Sequence, residues 1–499
     1  MGKNLSKSKY CKGLQCPKIL WLDEHRPELA DVSDNESVLE EDKRGGELAR
    51  EYFGSCSLVE FNYDHNVMVE DTFKLMNSGC ECIAEASFIY DGLFCSVDIL
   101  QKCESGYDLI EVKSSTSVSE IHIEDVSYQY YVLINSGIPI NHVYIMHINN
   151  QYVRQGELDL QSLFVMEECT EKVKMKQASI ADRIEQIRTF IDTEDEPERD
   201  INIYCETPYK CAYYSYCHRD IPKQSVFDIK GLRLNRKYEL YHQGIVTFKD
   251  IIEKRPKMGA KQMEQVETAY YHKPDVINRE GIREFINTLY YPVYHLDFET
   301  IQMAVPEYND LKPYEKIPFQ YSLHIEKEDG TLEHREFLGE EGTDPRRKLA
   351  EQLVNDIPED SCVLAFNMSF EKGVIERLAE MYGDLAEHLM NIHDHISDLM
   401  IPFKKKSFYS AAMEGSYSIK YVLPALYPDD PSLDYHNLEE IHHGGEASDA
   451  FKYMTRLTPE ERAKTRENLL KYCGLDTYAM VKVLEKLRKA CNEREKYER

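Results

Sequence analysis

Carboxylates, a lysine and thiols recur in this chain at spacings that suit metal ions and the hydrolysis of phosphate esters. Asp98 lies in the run Phe94-Cys95-Ser96-Val97-Asp98-Ile99-Leu100, and Glu111 and Lys113 follow in Leu109-Ile110-Glu111-Val112-Lys113. Two β-type runs this close form a twisted hairpin that brings Asp98 and Glu111 together. Convergent carboxylates are costly unless a hard divalent cation such as Mg²⁺ neutralises them. Glu111 and Lys113 are two apart on a strand and project from one face. A cation there would polarise a phosphate while Lys113 orients or helps deprotonate the attacking water. Asp297 and Glu299 again share one strand face in Leu296-Asp297-Phe298-Glu299-Thr300, and Tyr472 and Asp476, four apart, share one helical face. An E-x-K strand is also an ordinary exposed ion pair, so the neighbours of each group decide its meaning.

The chain has 14 Cys. Cys56, Cys80, Cys82, Cys95, Cys103, Cys169, Cys362, Cys473 and Cys491 are scattered and read as small core or surface residues. Cys11 and Cys16, and then Cys205, Cys211 and Cys217, form groups, and in a reducing compartment grouped thiols suggest metal. Side chains six apart on a regular helix point about 240° apart. The segment from Cys205 to Cys217, which contains Pro208, must therefore wrap irregularly to bring its thiols together. Four thiolates suit an iron–sulfur cluster or structural Zn²⁺.

The elements that must position these groups follow from periodicity. β-type runs occupy 83–90, 93–100, 109–113 and 143–147, with helices around 46–53, 126–133 and 171–191. The acidic stretch 192–200 reads as a solvated loop. Residues 223–288 read as short helices, with Gly244 as a C-cap and Thr247 with Asp250 opening the next helix. From 289 a second mixed pattern begins. Strands are expected at 290–296, 319–325, 336–338 and 362–366, a helix near 346–355, and further helices to the end. His442-His443-Gly444-Gly445 reads as a loop, because adjacent histidines project differently. In Phe403-Lys404-Lys405-Lys406-Ser407-Phe408-Tyr409, cations beside rings suit single-stranded nucleic acid, with charge on phosphate and rings on bases; a solvated lysine loop is the alternative.

Asp98, then Glu111-Val112-Lys113, then a helix bearing Gln129, resembles the PD-(D/E)XK nucleases, and within them the RecB-type, CRISPR-associated branch. That branch opens with Cys-Pro-(Lys/Arg), here Cys16-Pro17-Lys18, and closes with a three-cysteine cluster, here Cys205, Cys211 and Cys217. The resemblance implies that these four cysteines hold a 4Fe–4S cluster stapling the ends of the domain, with Zn²⁺ as the alternative. It also implies a metal ligand on the first helix, where Glu47 stands in for the usual His, and substrate contact by Gln129, although Leu133 replaces the Tyr of the Gln-x(3)-Tyr motif.

The second set resembles the DEDD exonucleases of the DnaQ-like, RNase H-fold group. Asp297 and Glu299 match its first motif, Asn367-Met368-Ser369-Phe370-Glu371 its second, and Tyr472 with Asp476 its third. The resemblance implies that Asp297, Glu299, Glu371 and Asp476 hold two Mg²⁺ or Mn²⁺ ions and that Tyr472 orients water. Glu371 stands where the group has Asp, which moves the carboxylate outward by about 1.3 Å. Asn367 would brace the turn or touch substrate; Asp398-Leu399 and Ser418-Ile419-Lys420 fall where the group has its DL and S-(L/I)-K segments, and Lys420 joins the expected nucleic-acid contacts. The two sets together resemble bacterial proteins that join both domain types.

With 42% hydrophobic and 30% charged residues, the 499-residue chain is globular in composition rather than collagen-like or low-complexity. No apolar run reaches the roughly 20 residues of a membrane span, and the N-terminus lacks a secretory core, so a cytoplasmic location without membrane partners is expected. A net charge of −29 argues against embracing long duplex by charge alone and favours short substrates.

The expected architecture is α/β: a PD-(D/E)XK restriction-endonuclease-like domain (1–222), a small helical connector (223–288) and an RNase H-like DEDD exonuclease domain (289–499). The expected function is a metal-dependent nuclease on DNA, single-stranded or with ends, in repair or defence. Two alternatives stand beside it. In one, only the C-terminal site turns over, on RNA or short oligonucleotides, while the first domain acts as a clamp. In the other, the protein is a non-catalytic nucleic-acid-binding scaffold.

Overall fold

Alternating apolar and polar side chains across 82–113 favour antiparallel strands with one face turned to a core. The computed structural model, which describes residues 5–31, 36–433, 438 and 440–492, has them so: Cys82–Tyr90, Leu93–Cys103 and Gly106–Lys113 form an antiparallel meander. Gly106–Lys113 then pairs in parallel with Ile140–Ile148 through the intervening helix Glu120–Asn135. Phe164–Glu168 adds antiparallel at one side, Ser57–Leu58 adds parallel at the other, and Leu5–Ser6 pairs with Leu93-Phe94 to complete a seven-stranded sheet. Helices Lys7–Gln15, Glu120–Asn135 and Thr170–Ile191 cover one face, where Tyr10, Val126, Tyr128, Val173 and Ile180 are fully buried. Each fully buried residue of this size contributes about 1.5–3 kcal/mol.

A second sheet has the strand order 332–338, 317–326, 293–301, 362–365, 396–398; its first three strands are antiparallel and its last two join in parallel. Along Val293–Ile301 the pleat separates two chemistries. Tyr294, Leu296 and Phe298 enter an apolar core with helices Arg346–Asp356, Ser369–Met381 and Ala386–Asp394. His295, Asp297 and Glu299 face the other way, as do Gln320, Ser322 and His324 opposite them. The long helix Pro459–Asn492 packs on that polar face, and its Leu469 carbonyl accepts from Gln320 Nε2 at 2.8 Å.

The chain divides into two compact units, 1–221 with 303–315 and 222–302 with 316–499. This differs from the expected three-part division in two ways. The helices of 223–288 have a small core of their own around Val226, Leu240, Phe248 and Val266, yet group with the second unit. Residues 303–315, which lie between the strands Val293–Ile301 and Ile317–Glu326, belong to the first unit: Ala304 and Val305 join its core, and Arg154 N–H donates to the Leu311 carbonyl at 3.0 Å. No described helix is long and apolar enough to cross a membrane.

Other expectations shift locally. Thr247 and Asp250 do form a capping box at the helix Phe248–Lys254. Gly444-Gly445 opens the helix Gly444–Tyr453 with His443 as its N-cap, whose ring accepts from Glu446 N–H, so the expected loop is a helix start. Cys56 and Cys82, read from the sequence as scattered small core or surface residues, form a disulfide: Ser57 pairs with Ile83 in parallel register, which sets the preceding residues side by side with Cα atoms 4.5 Å apart.

Candidate metal centres

In the second unit the strand Val293–Ile301 delivers Asp297 and Glu299, and the helix Pro459–Asn492 delivers Asp476 onto the same polar face. One carboxylate oxygen from each lies within 4.8 Å of the others. Glu299 and Asp476 are 8% exposed, and little solvent screens them. Burial, then Asp476, Glu299 and Glu371, push Asp297 far above the usual carboxylate range. Burial and then Asp476 push Glu299 up to about 8.

Glu371, in the first turn of Ser369–Met381, is raised to about 8 by burial and by Asp398, and its Oε2 has no hydrogen-bond partner. An orphaned buried carboxylate oxygen beside three crowded carboxylates is an arrangement that a divalent cation with oxygen ligands would relieve. Tyr472 is buried one helical turn from Asp476, and burial with the nearby carboxylates strongly raises its pKa, so its hydroxyl keeps its proton.

The turn that presents Glu371 is held by Asp398. Its Oδ1 accepts from the N–H groups of Asn367 (3.0 Å) and Met400 (2.9 Å), and Lys404 Nζ lies 3.2 Å from Oδ2. Asn367 sits at φ +72°, a left-handed conformation that Asn tolerates better than most residues. Lys420 Nζ donates to the His442 carbonyl at 3.1 Å, lies 5.6 Å from the Tyr472 ring centre and draws the Glu299 pKa downward.

The expected basic and aromatic contacts fare unevenly. Phe408 is buried against Phe403, with ring centres 6.0 Å apart, and cannot stack on a base, because the lysine run turns into a short strand that pairs with Ile277. Lys406 is paired with Glu264, whereas Lys404 and Lys405 are exposed.

In the first unit Asp98, Glu111 and Lys113 line one cleft of about 280 Å³ with Lys7, Arg50 and Glu85. Adjacent strands bring the acids together, and Asp98 Oδ2 accepts from Val112 N–H at 2.7 Å. Burial and then Glu111 push Asp98 up to about 8. Glu111 goes the other way: although burial opposes ionisation, Lys113, Lys7 and Gln129 hold it well below the usual range. Its Oε1 accepts from Lys113 (2.7 Å) and Lys7 (2.8 Å), and its Oε2 from Gln129 (2.5 Å). Asp125, on the helix Glu120–Asn135, takes Lys113 at 2.6 Å.

Two expectations change here. Gln129 is fully buried and braces Glu111, so it does not reach a substrate. Glu47 is exposed, because the cleft face of the helix Glu36–Tyr52 carries Gly46 and Arg50, four apart. The carboxylate found instead is Glu85, at φ +56° between Ala84 and Ala86, which pair with Ile99 and Val97 in unbroken register; this left-handed backbone conformation leaves little trace in periodicity. Lys7, remote in sequence from Glu111, also had no local signal.

Cys16, Cys205, Cys211 and Cys217 line one small void of about 20 Å³. Cys16 lies between the helices Lys7–Gln15 and Pro17–His25; Cys211 N–H donates to the Cys205 carbonyl at 2.9 Å, and Tyr213 N–H donates to Cys211 Sγ at 3.4 Å. Burial raises Cys205 to about 12 and Cys211 to about 11, and the other thiols add to both. Burial raises Cys16 as well, opposed in part by Arg199 and Lys18, which favour its thiolate. Among the described residues only the carboxylate triad brings three ligand atoms within 4.8 Å, so these sulfurs are spread more widely than that. Around one tetrahedral Zn²⁺ they would lie about 3.8 Å apart, given Zn–S near 2.3 Å. Cys11, the alternative ligand, lies instead beside Asp125, at 3.7 Å.

Residues 294–418 match a family described as a domain of unknown function (DUF2779), a span that includes Asp297, Glu299, Asn367, Glu371 and Asp398 but ends before Tyr472. The chain is also similar to the uncharacterized protein MG366 of Mycoplasma genitalium, at 25% identity over 209 residues, which is 38% of this chain and 31% of the relative. The match thus spans about a third of that relative's length.

Proposed function

We propose that this protein is a metal-dependent nuclease that hydrolyses phosphodiester bonds of DNA, in single strands or at ends, in cytoplasmic repair or defence. The observation that carries the reading is the Asp297–Glu299–Asp476 triad, with Glu299 and Asp476 buried, and the orphaned Glu371 close enough to raise the Asp297 pKa. Bound Mg²⁺ or Mn²⁺ would neutralise these acids and polarise the scissile phosphate. Tyr472 keeps a proton to donate and orients the attacking water. Asn367 and Asp398 hold the turn that presents Glu371. Lys420 supplies positive charge at the rim.

In the first unit Asp98 and Glu111 offer oxygen ligands and Lys113 orients a second attacking water. The meander that leads through a helix to a parallel strand supports a PD-(D/E)XK-like reading of this unit. The five-strand order, with carboxylates on the central strand, supports an RNase H-like reading of the other. Cys16, Cys205, Cys211 and Cys217, around one void, would hold a 4Fe–4S cluster, with Zn²⁺ as the alternative.

A second reading, in which only the C-terminal centre turns over, on RNA or short oligonucleotides, is favoured by one fact: Glu111 is already saturated by Lys7, Lys113 and Gln129. The deciding assay is degradation of 5′-labelled single-stranded DNA and RNA with Mg²⁺ or Mn²⁺, using anaerobically purified protein beside Asp297→Ala, Lys113→Ala and the double variant. Loss of activity in one single variant assigns the working centre. Intact substrates under all conditions would reduce the protein to a nucleic-acid-binding scaffold.

A further inference from the structure

The strand Ser57–Leu58 ends the first unit's sheet and pairs with Cys82–Tyr90 on one side only. The disulfide from Cys56 to Cys82 pins its start, and Val59 N–H donates to the Ala84 carbonyl at 3.0 Å. Successive residues of a strand point their N–H and C=O groups to opposite sides, so Leu58 turns its own away from the sheet. Just beyond, the chain carries rings into solvent. Tyr63 is 94% exposed, more than any other large apolar side chain among the described residues, and Phe61 is 69% exposed. Their ring centres lie 5.2 Å apart, edge to face. The helix His65–Asn77 adds exposed Val67 and Phe73, so the apolar surface is continuous in sequence from Leu58 to Phe73. Exposed apolar side chains grouped in this way mark an interaction surface, whereas single ones need no explanation.

The charge of the same stretch is one-sided. Residues 51–73 hold five acids, Glu51, Glu60, Asp64, Glu70 and Asp71, and no lysine or arginine. Asp71 is paired with Lys74, while Glu60, Asp64 and Glu70 are exposed. This asymmetry selects the occupant. A nucleic acid or an anionic membrane would bring phosphates against Glu60 and Asp64, and a second copy of this chain would set acid against acid. A cationic segment instead gains from both the carboxylates and the faces of the rings. We propose that this edge binds an extended, lysine- or arginine-rich segment of a partner protein. The segment pairs its backbone with Leu58, lays a cation on the Phe61 and Tyr63 rings, and is matched in charge by Glu60 and Asp64. This binding is independent of the nuclease reading of either unit.

The test uses the full-length protein at about 0.15 M ionic strength, where distant charges are screened. Three fluorescent probes are compared: a peptide of about eight residues alternating Lys and Val, the same peptide with Glu in place of Lys, and a short single-stranded DNA. Anisotropy gives Kd, and hydrogen exchange maps the contact. The lysine peptide is expected to bind and to slow exchange of the amides at 57–60, and the glutamate peptide to do neither. Phe61→Ala and Tyr63→Ala should each raise Kd by about 3- to 30-fold. Glu60→Gln and Asp64→Asn should each raise it by up to about 5-fold. Both rings stand in solvent, and Asn caps the helix at 64 as Asp does, so every variant should keep the parent melting temperature. Equal affinity for the lysine peptide in both ring variants, or protection confined to other segments, overturns the proposal. So does DNA that binds at the rings in the peptide's place, or a dimer in analytical ultracentrifugation that the ring variants dissociate.

Discussion

Removing one charge from the second unit's triad should stabilise the metal-free protein, although it deletes a ligand of the proposed metal site. Asp297→Asn keeps the side-chain shape and deletes one of the carboxylates that lie within 4.8 Å of one another. Two unit charges at that separation repel by about 3.5 kcal/mol at an effective dielectric constant near 20. The sign with pH follows from the raised pKa values. Asp297 and Glu299 hold protons in the folded state that the unfolded chain releases near its ordinary carboxylate pKa, so wild-type stability is full only below about pH 4 and is lost progressively as pH rises from there to about 8 and beyond. In EDTA the variant should match wild type near pH 3, below the unfolded carboxylate pKa, and exceed it by about 3 kcal/mol at pH 9, or about 6–12 °C in melting temperature. Mn²⁺ at a hundred times its Kd should restore about 2.7 kcal/mol to wild type and nothing to the variant. Scanning calorimetry across pH, with EDTA or Mn²⁺, reads both effects. A variant less stable than wild type in EDTA at pH 9, or one that gains as much from Mn²⁺, would refute the reasoning.

Three other perturbations follow from the same geometry. Lys113→Ala leaves Glu111 paired with Lys7 and Gln129, so the protein should fold normally while first-cleft cleavage of labelled strands, read in the Asp297→Ala background, falls by about 10²–10⁴. Asn367→Gly should be tolerated, because glycine adopts φ +72° freely, whereas Asn367→Ala should cost about 1–2 kcal/mol in urea unfolding and lower second-site turnover. Cys205→Ser should abolish iron content and visible absorption in anaerobically purified protein and lower its melting temperature, because the helices on either side of Cys16 lose their tie to 205–217.

Much of this was legible because it is local. The alternation around Asp98 and Glu111, the two-residue spacing of Asp297 and Glu299, and the four-residue spacing of Tyr472 and Asp476 each fix a side-chain direction from neighbours alone. What escaped depends on groups far apart in the chain. Lys7 reaches Glu111 across 104 positions, and no pattern near either announces it. Glu85 lines the cleft from a left-handed backbone conformation, φ +56°, that no local pattern announces. Glu47 and Phe408 carried suitable chemistry, but the face each presents depends on packing that a local reading does not contain: one helix turns Gly46 and Arg50 inward, and one two-residue strand buries a ring. Gln129 is expected from the sequence to touch substrate, but its partner is Glu111, a contact set by the packing of helix on strand.

The segment 303–315 makes the two units inseparable in time as well as in sequence. Ala304 and Val305 complete the core of a unit whose remaining residues end at 221. On the ribosome, at about 5–20 residues per second, the piece that closes this core emerges roughly 5–20 s after residue 221. Until then the first unit waits with an open apolar seat, and the strand bearing Asp297 and Glu299 has already been made. A chain cut at 222 would strand that seat permanently and would leave the other fragment with an orphaned apolar segment between two of its strands. Neither candidate centre could then be shed by a simple truncation without leaving a scaffold incomplete.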